Sequence, residues 1–102
     1  DVRSVLTPDG RYLLAAGADG LKMFPAEALP PAALRAWRAV LPKRTLVFAV
    51  GGMRPDNLLP YWEAGADGFG TGSNLYKPGA PAAGVRDAAL AYARGVGALP
   101  RR

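Results

Sequence analysis

The chain has 102 residues, half of them apolar, and this length allows at most one small domain. The formal charge is +5, but arginine and lysine are scattered without a run or an accompanying aromatic motif, so no nucleic-acid partner is expected. Cysteine and histidine are absent, which excludes disulfides, thiolate metal sites and Ser-His-Asp chemistry. No apolar run approaches the roughly 20 residues that span a bilayer, so no membrane partner is expected either.

The pentapeptide Ala-Gly-Ala-Asp-Gly occurs twice, at residues 16–20 and again at residues 64–68. Each copy follows an Ala/Leu-rich segment and precedes a short apolar stretch. Glycine just after a helix is the usual left-handed cap, and the Ala-Asp-Gly that follows is a tight entry into a strand. The recurring unit predicts alternating helices and strands, and therefore a parallel sheet. We interpret Asp19 and Asp67 as turn residues and not as catalytic acids.

The other elements follow from apolar periodicity and from helix-start signals. After a first helix that ends at the first repeat, strands are predicted at residues 21–24, 45–50 and 69–72, and helices from about residues 31, 57–64 and 82–94. Pro31 is a favourable first helical residue, and Asn57 is a favourable N-cap. The apolar face of the helix after Pro31 is predicted to consist of Leu34, Trp37, Val40 and Leu41.

Three parallel strands and four helices fit either a small doubly wound sheet or the second half of a (β/α)₈ barrel. Glycine-rich turns follow both later strands, at residues 51–52 and 70–73. Barrel phosphate sites characteristically use the loops after the last two strands. We therefore predict an α/β fold, the carboxyl-terminal portion of a TIM barrel. It would contain the fifth helix and then strands six to eight with their helices, and residues 1–102 would form one structural unit.

Lys22 is the most informative candidate for chemistry. Strand alternation places Leu21 and Met23 on the opposite face, so Lys22 would point into the barrel toward its carboxyl-terminal mouth. Low-dielectric surroundings there disfavour an ammonium ion, and a desolvated neutral amine is the nucleophile that forms Schiff bases with ketones. The alternative is a lysine at a strand end whose charged group reaches solvent, and the spacing alone does not separate the two.

Two glycine turns are candidates for anion binding. Gly51 and Gly52 lack a Cβ, which lets an anion approach backbone N–H groups near the start of the next helix. Gly72 and Ser73 offer a second set of N–H groups and a hydroxyl. Either pair alone also fits a tight turn that serves only the fold. Two such turns in tandem favour phosphate binding.

Three segments resemble the class I (Schiff-base) aldolases of the 2-keto-3-deoxy-6-phosphogluconate and -galactonate type, and they occur in the family's order. They are residues 21–27 (LKMFPAE), 48–57 (FAVGGMRPDN) and 64–79 (AGADGFGTGSNLYKPG). The ending Gly-Ser-x-Leu-Tyr-Lys-Pro-Gly is more similar to the galactonate branch than to the gluconate branch.

This resemblance implies cleavage of 2-dehydro-3-deoxy-6-phosphogalactonate, a phosphorylated keto-deoxy sugar acid, to pyruvate and glyceraldehyde 3-phosphate. Lys22 would form the Schiff base, and the substrate phosphate would be bound by Gly51, Gly52, Gly72 and Ser73. The resemblance also implies that no metal or organic cofactor is needed, and that complete barrels form a homotrimer in the cytoplasm. The family's proton-shuttling glutamate, its carboxylate-binding arginine and a neighbouring threonine lie on early strands and have no counterpart here.

Some points stay open. Residues 1–14 match the family poorly, although Thr7-Pro8 could open the fifth helix, and the helix after it would contain Gly10. Glu27 is expected to face solvent rather than act as the general base. Three alternatives remain: the gluconate-derived epimer as substrate, a phosphate-binding barrel enzyme that does not use Lys22, and an inactive half-barrel fragment.

Overall fold

The computed structural model describes residues 18–102 in full and, before them, only the backbone of two short strands. These are β1 (Ser4–Leu6) and β2 (Leu13–Ala15). They pair antiparallel, with Val5 opposite Leu14, in a sheet separate from the main one.

The prediction of a first helix is therefore wrong for Leu13–Ala15, which form a strand. The remainder of that helix, with Thr7-Pro8, lies outside the described residues. Two local signals favour strands here. Residues 8–10 read Pro-Asp-Gly, a composition typical of turns, and Gly10 in a helix interior would cost about 1 kcal/mol relative to alanine.

The main sheet has three parallel strands, β3 (Gly20–Met23), β4 (Leu46–Val50) and β5 (Gly68–Gly70), with β4 in the centre. The predicted parallel α/β arrangement is confirmed. The third strand is shorter than predicted, because it ends at Gly70 and leaves Gly72 in the following loop.

Both copies of the repeated pentapeptide meet the first residues of the central strand. The main-chain oxygen of Asp19 accepts a hydrogen bond from the N–H of Leu46 at 3.3 Å. The carboxylate of Asp67 accepts the N–H of Val47 at 2.8 Å and lies 3.5 Å from the guanidinium of Arg38. The interpretation of these aspartates as structural residues is thereby confirmed for Asp67.

Three α-helices accompany the sheet: α1 (Pro31–Val40), α2 (Leu58–Ala64) and α3 (Ala82–Gly97). The predicted start of α1 is confirmed, since proline at a first helical position loses no intrahelical bond. The predicted glycine cap of α2 is confirmed as well: Gly65 has a φ of 115°, in the left-handed region. No helix in the described part of the chain has the length and apolar composition that a membrane crossing requires.

One face of the sheet is buried beneath α1 and α2. Its buried side chains alternate along the strands, as predicted for β3. They are Leu21, Met23, Val47 and Ala49, each at most 2 % exposed. Leu34, Leu58, Tyr61 and Ala64 of the two helices complete this core. Full burial of a large aliphatic side chain stabilises a fold by about 1.5–3 kcal/mol, so this layer supplies most of the hydrophobic stabilisation.

The predicted apolar face of α1 needs one correction. Leu34 is buried and Trp37 and Leu41 pack against the core, but Val40 is 80 % exposed. At 3.6 residues per turn, Val40 lies about 120° around the helix from Leu34, outside the stripe that contacts the sheet.

The last helix packs against the loop that follows β4 and has no fully buried residue of its own. Gly95 permits this contact, because a Cβ there would lie 3.0 Å from the main-chain oxygen of Pro55. The hydroxyl of Tyr92 donates a 2.6 Å hydrogen bond to the main-chain oxygen of Met53. Through these contacts α3 holds the loop between β4 and α2 in place.

Tyr61 connects α2 to the segment after β3. Its hydroxyl lies 2.8 Å from the main-chain oxygen of Ala26 and 2.9 Å from that of Leu29, at the two ends of a 3₁₀ turn. Burial and, to a lesser extent, the negative charge of Glu27 raise the pKa of the Tyr61 hydroxyl above its usual value. The folded chain therefore holds this proton more tightly than the unfolded chain does.

We predict that Tyr61→Phe lowers the free energy of unfolding at neutral pH by about 1–2 kcal/mol, because the main-chain oxygens of Ala26 and Leu29 lose the hydroxyl that they share. The raised pKa means that the folded state binds more protons than the unfolded state above pH ~10, so in the unchanged chain stability should fall as pH rises past that value. Tyr61→Phe should abolish this part of the alkaline loss. Urea unfolding at several pH values measures both effects.

The control is Tyr76→Phe, at a tyrosine that is 54 % exposed. Titration of tyrosinate absorbance should show a late-ionising tyrosine that disappears in Tyr61→Phe and persists in Tyr76→Phe. Persistence of the late step in Tyr61→Phe would contradict the assignment.

Candidate active site

A pocket of ≈ 320 Å³ opens at the carboxyl ends of the three parallel strands. Its lining comes from all three strand ends: Lys22 and Phe24, residues 50–53, and residues 70–74. Every site residue predicted from the sequence lines this one pocket, namely Lys22, Gly51, Gly52, Gly72 and Ser73.

Lys22 lies on the face of β3 opposite Leu21 and Met23, directly across from Phe48 of β4. Its Nζ atom is 4.7 Å from the centroid of the Phe24 ring. The predicted direction of the side chain is confirmed, but the predicted desolvation is wrong for this chain, since Lys22 is exposed. The physical reason is that this face of the sheet has no covering layer within residues 18–102.

The turn at Gly51 and Gly52 is shaped by close packing as well as by backbone conformation. Both residues have positive φ angles, 104° and 70°, which residues other than glycine rarely adopt. A Cβ on Gly51 would lie 2.9 Å from the Cα of Pro25 and 3.1 Å from the Phe24 ring. A Cβ on Gly52 would collide with the carboxylate of Glu27. These glycines therefore seat the segment that follows Lys22.

The turn at Gly72 and Ser73 is different. A Cβ on Gly72 would meet nothing within 4 Å. The main-chain oxygen of Gly72 accepts hydrogen bonds from the N–H groups of Leu75 and Tyr76, both at 2.9 Å, which closes the loop. Within residues 18–102 the N–H groups of Gly72 and Ser73 donate to no protein acceptor. Because both residues line the pocket, these N–H groups are candidates for binding an anion.

The floor of the pocket was not predicted from the sequence. Met53 is 1 % exposed, and its main-chain oxygen accepts the hydroxyl of Tyr92 and, at 3.5 Å, the side-chain amide of Asn74. The side chain of Asn57 holds the same turn from the other side: its amide donates to the main-chain oxygen of Gly52 at 2.9 Å. Asn57 precedes α2 as predicted, but its side chain makes no bond to its own helix.

Glu27 is exposed, as expected, yet it is fixed to the glycine turn. Its N–H donates to the main-chain oxygen of Gly51 at 3.1 Å, and its side chain packs over Gly52. No cluster of three acidic, histidine or cysteine residues suited to a metal ion occurs in the described part of the chain.

A second pocket, of ≈ 490 Å³, lies between α3 and residues 54–56. Its lining is mostly apolar, and of the residues around the first pocket it shares only Asn74. We take the smaller pocket as the candidate site, because Lys22 lines it and neither pocket has another lysine, and because the Gly72–Ser73 turn also lines it.

Comparisons with known proteins agree with the motifs. The chain is 51 % identical over 88 residues to a probable 2-dehydro-3-deoxy-6-phosphogalactonate aldolase of Rhizobium meliloti (strain 1021), covering 85 % of this chain and 42 % of that protein. It is 50 % identical over 66 residues to the 2-dehydro-3-deoxy-6-phosphogalactonate aldolase of Escherichia coli (strain K12), covering 65 % of this chain and 32 % of that protein. The chain thus spans less than half the length of these relatives. No protein-family model matches it.

Two solved structures are similar over 78 % of the chain. One is described as a native KDPGal structure, with a TM-score of 0.76 and 41 % identity over 39 % of that chain. The other is a cube-shaped, porous protein cage designed by fusing symmetric oligomeric domains, with a TM-score of 0.75 and 42 % identity over 29 % of that chain. The chain is therefore homologous to one part of the 2-dehydro-3-deoxy-6-phosphogalactonate aldolases, the family that its motifs resemble.

Proposed function

We propose that this chain contributes the Schiff-base lysine and the phosphate-binding turns of an aldolase that cleaves 2-dehydro-3-deoxy-6-phosphogalactonate to pyruvate and glyceraldehyde 3-phosphate. One observation carries the proposal: Lys22 and both glycine turns line a single pocket at the carboxyl ends of parallel strands. The names of the two relatives favour the galactonate-derived substrate over its gluconate-derived epimer.

The architecture we propose is part of a (β/α)₈ barrel. The strands lie side by side in chain order, as in a barrel, and active sites of barrels lie at the carboxyl ends of the strands. One face of the sheet is covered by helices, and Lys22, Phe48 and Val50 point to the other face. In the proposed barrel that second face is the interior. Residues 1–102 would belong to one domain of a cytoplasmic homotrimer, in keeping with the symmetric oligomeric domains of the cage structure.

The chemistry needs only the amine from this chain. Nζ of Lys22 attacks the keto carbon, and loss of water gives an iminium ion. The electrons of the C3–C4 bond then move toward the iminium nitrogen while the C4 hydroxyl loses its proton, which releases the aldehyde and leaves an enamine. Protonation at C3 and hydrolysis return pyruvate and the free amine. The iminium serves as the electron sink, so the proposal requires no metal or organic cofactor.

The substrate phosphate would bind between the two turns. Gly72 and Ser73 offer a hydroxyl and N–H groups that donate to no protein acceptor within residues 18–102, and the Gly51–Gly52 turn lines the same pocket. The proton on the C4 hydroxyl needs a general base, which is commonly worth roughly 10²- to 10⁴-fold in rate. Glu27 packs over Gly52 but does not line the pocket, so the base is expected from the part of the aldolase that this chain does not span.

We predict that pyruvate and borohydride label Lys22 in a chimera that joins residues 18–102 to the part of the Rhizobium meliloti relative that they do not match. The chain offers Lys43 and Lys77 as internal controls, since these are its other lysines. Peptide mass spectrometry should find one adduct at Lys22, and Lys22→Ala should remove it. An adduct at Lys43 or Lys77 instead would overturn the assignment.

The 102-residue chain alone is expected not to cleave the sugar acid, because it has no counterpart of the family's proton-shuttling glutamate or of its carboxylate-binding arginine. Cleavage at an ordinary enzymatic rate, about 1 s⁻¹ or faster, by the 102-residue chain would show that residues of this chain replace them. The same result would exclude the alternative of an inactive fragment.

We predict that Gly72→Val in the chimera raises the KM for the phosphorylated substrate at least tenfold, a loss of ~1.4 kcal/mol or more of phosphate binding. The added side chain enters open pocket space where the anion would approach. Labelling by pyruvate, which has no phosphate, should be unchanged. Gly52→Val is unsuitable, because it collides with Glu27 and strains a positive φ. Equal loss of cleavage and of pyruvate labelling in Gly72→Val would mean that this glycine serves only the fold.

A further inference from the structure

We propose that Phe24 is a positioning residue for the Lys22 amine. The Phe24 ring can pack where it does because Gly51 beneath it has no side chain. The inference deepens the proposed function, since it concerns how the same pocket presents its nucleophile. It assigns Gly51 a role distinct from contact with phosphate.

The ring is the partner that the structure gives to the amine. Nζ of Lys22 lies 4.7 Å from the Phe24 centroid, within the range of a cation–π interaction. No carboxylate among residues 18–102 forms an ion pair with Lys22. A lysine side chain has four rotatable bonds, and without a partner its amine would sample a wide volume of the pocket mouth.

The ring itself is fixed from below. Phe24 is 55 % exposed, so burial in the core does not hold it. One edge of the ring instead rests on Gly51, where a Cβ would lie 3.1 Å from two ring carbons and 2.9 Å from the Cα of Pro25. The hydrogen bond from the N–H of Glu27 to the main-chain oxygen of Gly51 holds the two segments together. Lys22, Phe24 and Gly51 therefore form a stack at the mouth of the pocket.

The ring acts on the reaction through the position in which it holds the amine. Misplacement of a reacting group by about 1 Å can cost up to ~10²-fold. Removal of the ring should therefore slow imine formation, by roughly tenfold.

The test uses the 102-residue chain and needs no cleavage. We expect the ε-methylene protons of Lys22 to show an upfield ring-current shift in NMR spectra, with Lys43 and Lys77 as references. The shift should vanish in Phe24→Leu and remain in Phe24→Tyr. It should also remain in Tyr76→Leu, which removes an aromatic ring of matched exposure, 54 %, that does not line the pocket. Gly51→Ala should reproduce Phe24→Leu, because it unseats the ring, whereas Gly72→Ala should not.

The same substitutions are then made in the chimera, and each variant is treated with pyruvate and borohydride. Labelling of Lys22 should slow about tenfold in Phe24→Leu and recover in Phe24→Tyr. An unchanged or faster rate of labelling in Phe24→Leu would mean that the ring does not position the amine, and either result overturns the proposal. Absence of the ring-current shift of Lys22 in the unchanged 102-residue chain would also overturn the proposal. If the unchanged chimera cannot be labelled at Lys22 at all, the proposed aldolase function fails, while the NMR comparison still decides the position of Phe24.

Discussion

The two-residue period of a β-strand decides which side chains of this protein are buried and which reach the pocket. Burial of Leu21 and Met23 under the helices forces Lys22 onto the opposite face. The same constraint acts on β4, where Val47 and Ala49 are buried and Phe48 faces the side of Lys22. A one-residue slip of β3 would bury the lysine against apolar helices, at a cost of several kcal/mol, and would remove it from the pocket. The hydrophobic core thus sets the direction of Lys22, the proposed nucleophile.

The segment after Lys22 and the glycine turn after β4 pack against each other and are joined by a hydrogen bond. Phe24 packs on Gly51, and Glu27 packs on Gly52. The N–H of Glu27 also donates a hydrogen bond to the main-chain oxygen of Gly51. The hydroxyl of Tyr61 holds the same segment from the core side. The two glycines therefore permit close packing against the lysine segment, which is a requirement separate from their proposed contact with phosphate.

Local signals in the sequence were sufficient for most of the fold and for the candidate site. A proline at the start of α1, a glycine cap at residue 65 and strand alternation around Lys22 are each decided by residues within one turn or one strand, and all three predictions are confirmed. The prediction of a first helix rests on its position before a repeat, against the local evidence of Gly10, and it is wrong for Leu13–Ala15, the part of that segment that the structure describes. The exposed Val40 shows a second limit, since an apolar residue at the edge of a stripe need not be covered.

The features that the sequence did not reveal depend on contacts between distant segments. The bond from Tyr92 to the main-chain oxygen of Met53 joins residues 39 positions apart, and nothing in either neighbourhood predicts it. Phe24 is an intermediate case. It lies two residues after Lys22, and strand alternation would have placed it on the same face, but the seat that Gly51 provides is visible only once β3 and β4 are adjacent.

The distribution of exposed apolar side chains indicates which layer the described residues lack. The helix-facing side of the sheet is closed, with Val47 and Ala49 fully buried. On the other side Phe24, Leu46 and Phe48 are 55 %, 45 % and 37 % exposed, and β3 and β5 each have an unpaired edge within residues 18–102. Further strands, rather than further helices, would satisfy both the open edges and this apolar face. Lys22 projects from the same face, so the strands that would complete the sheet would also desolvate the amine. The exposure of Lys22 in this chain and its proposed role as a nucleophile are therefore consistent, because the proposed barrel would cover the face from which Lys22 projects.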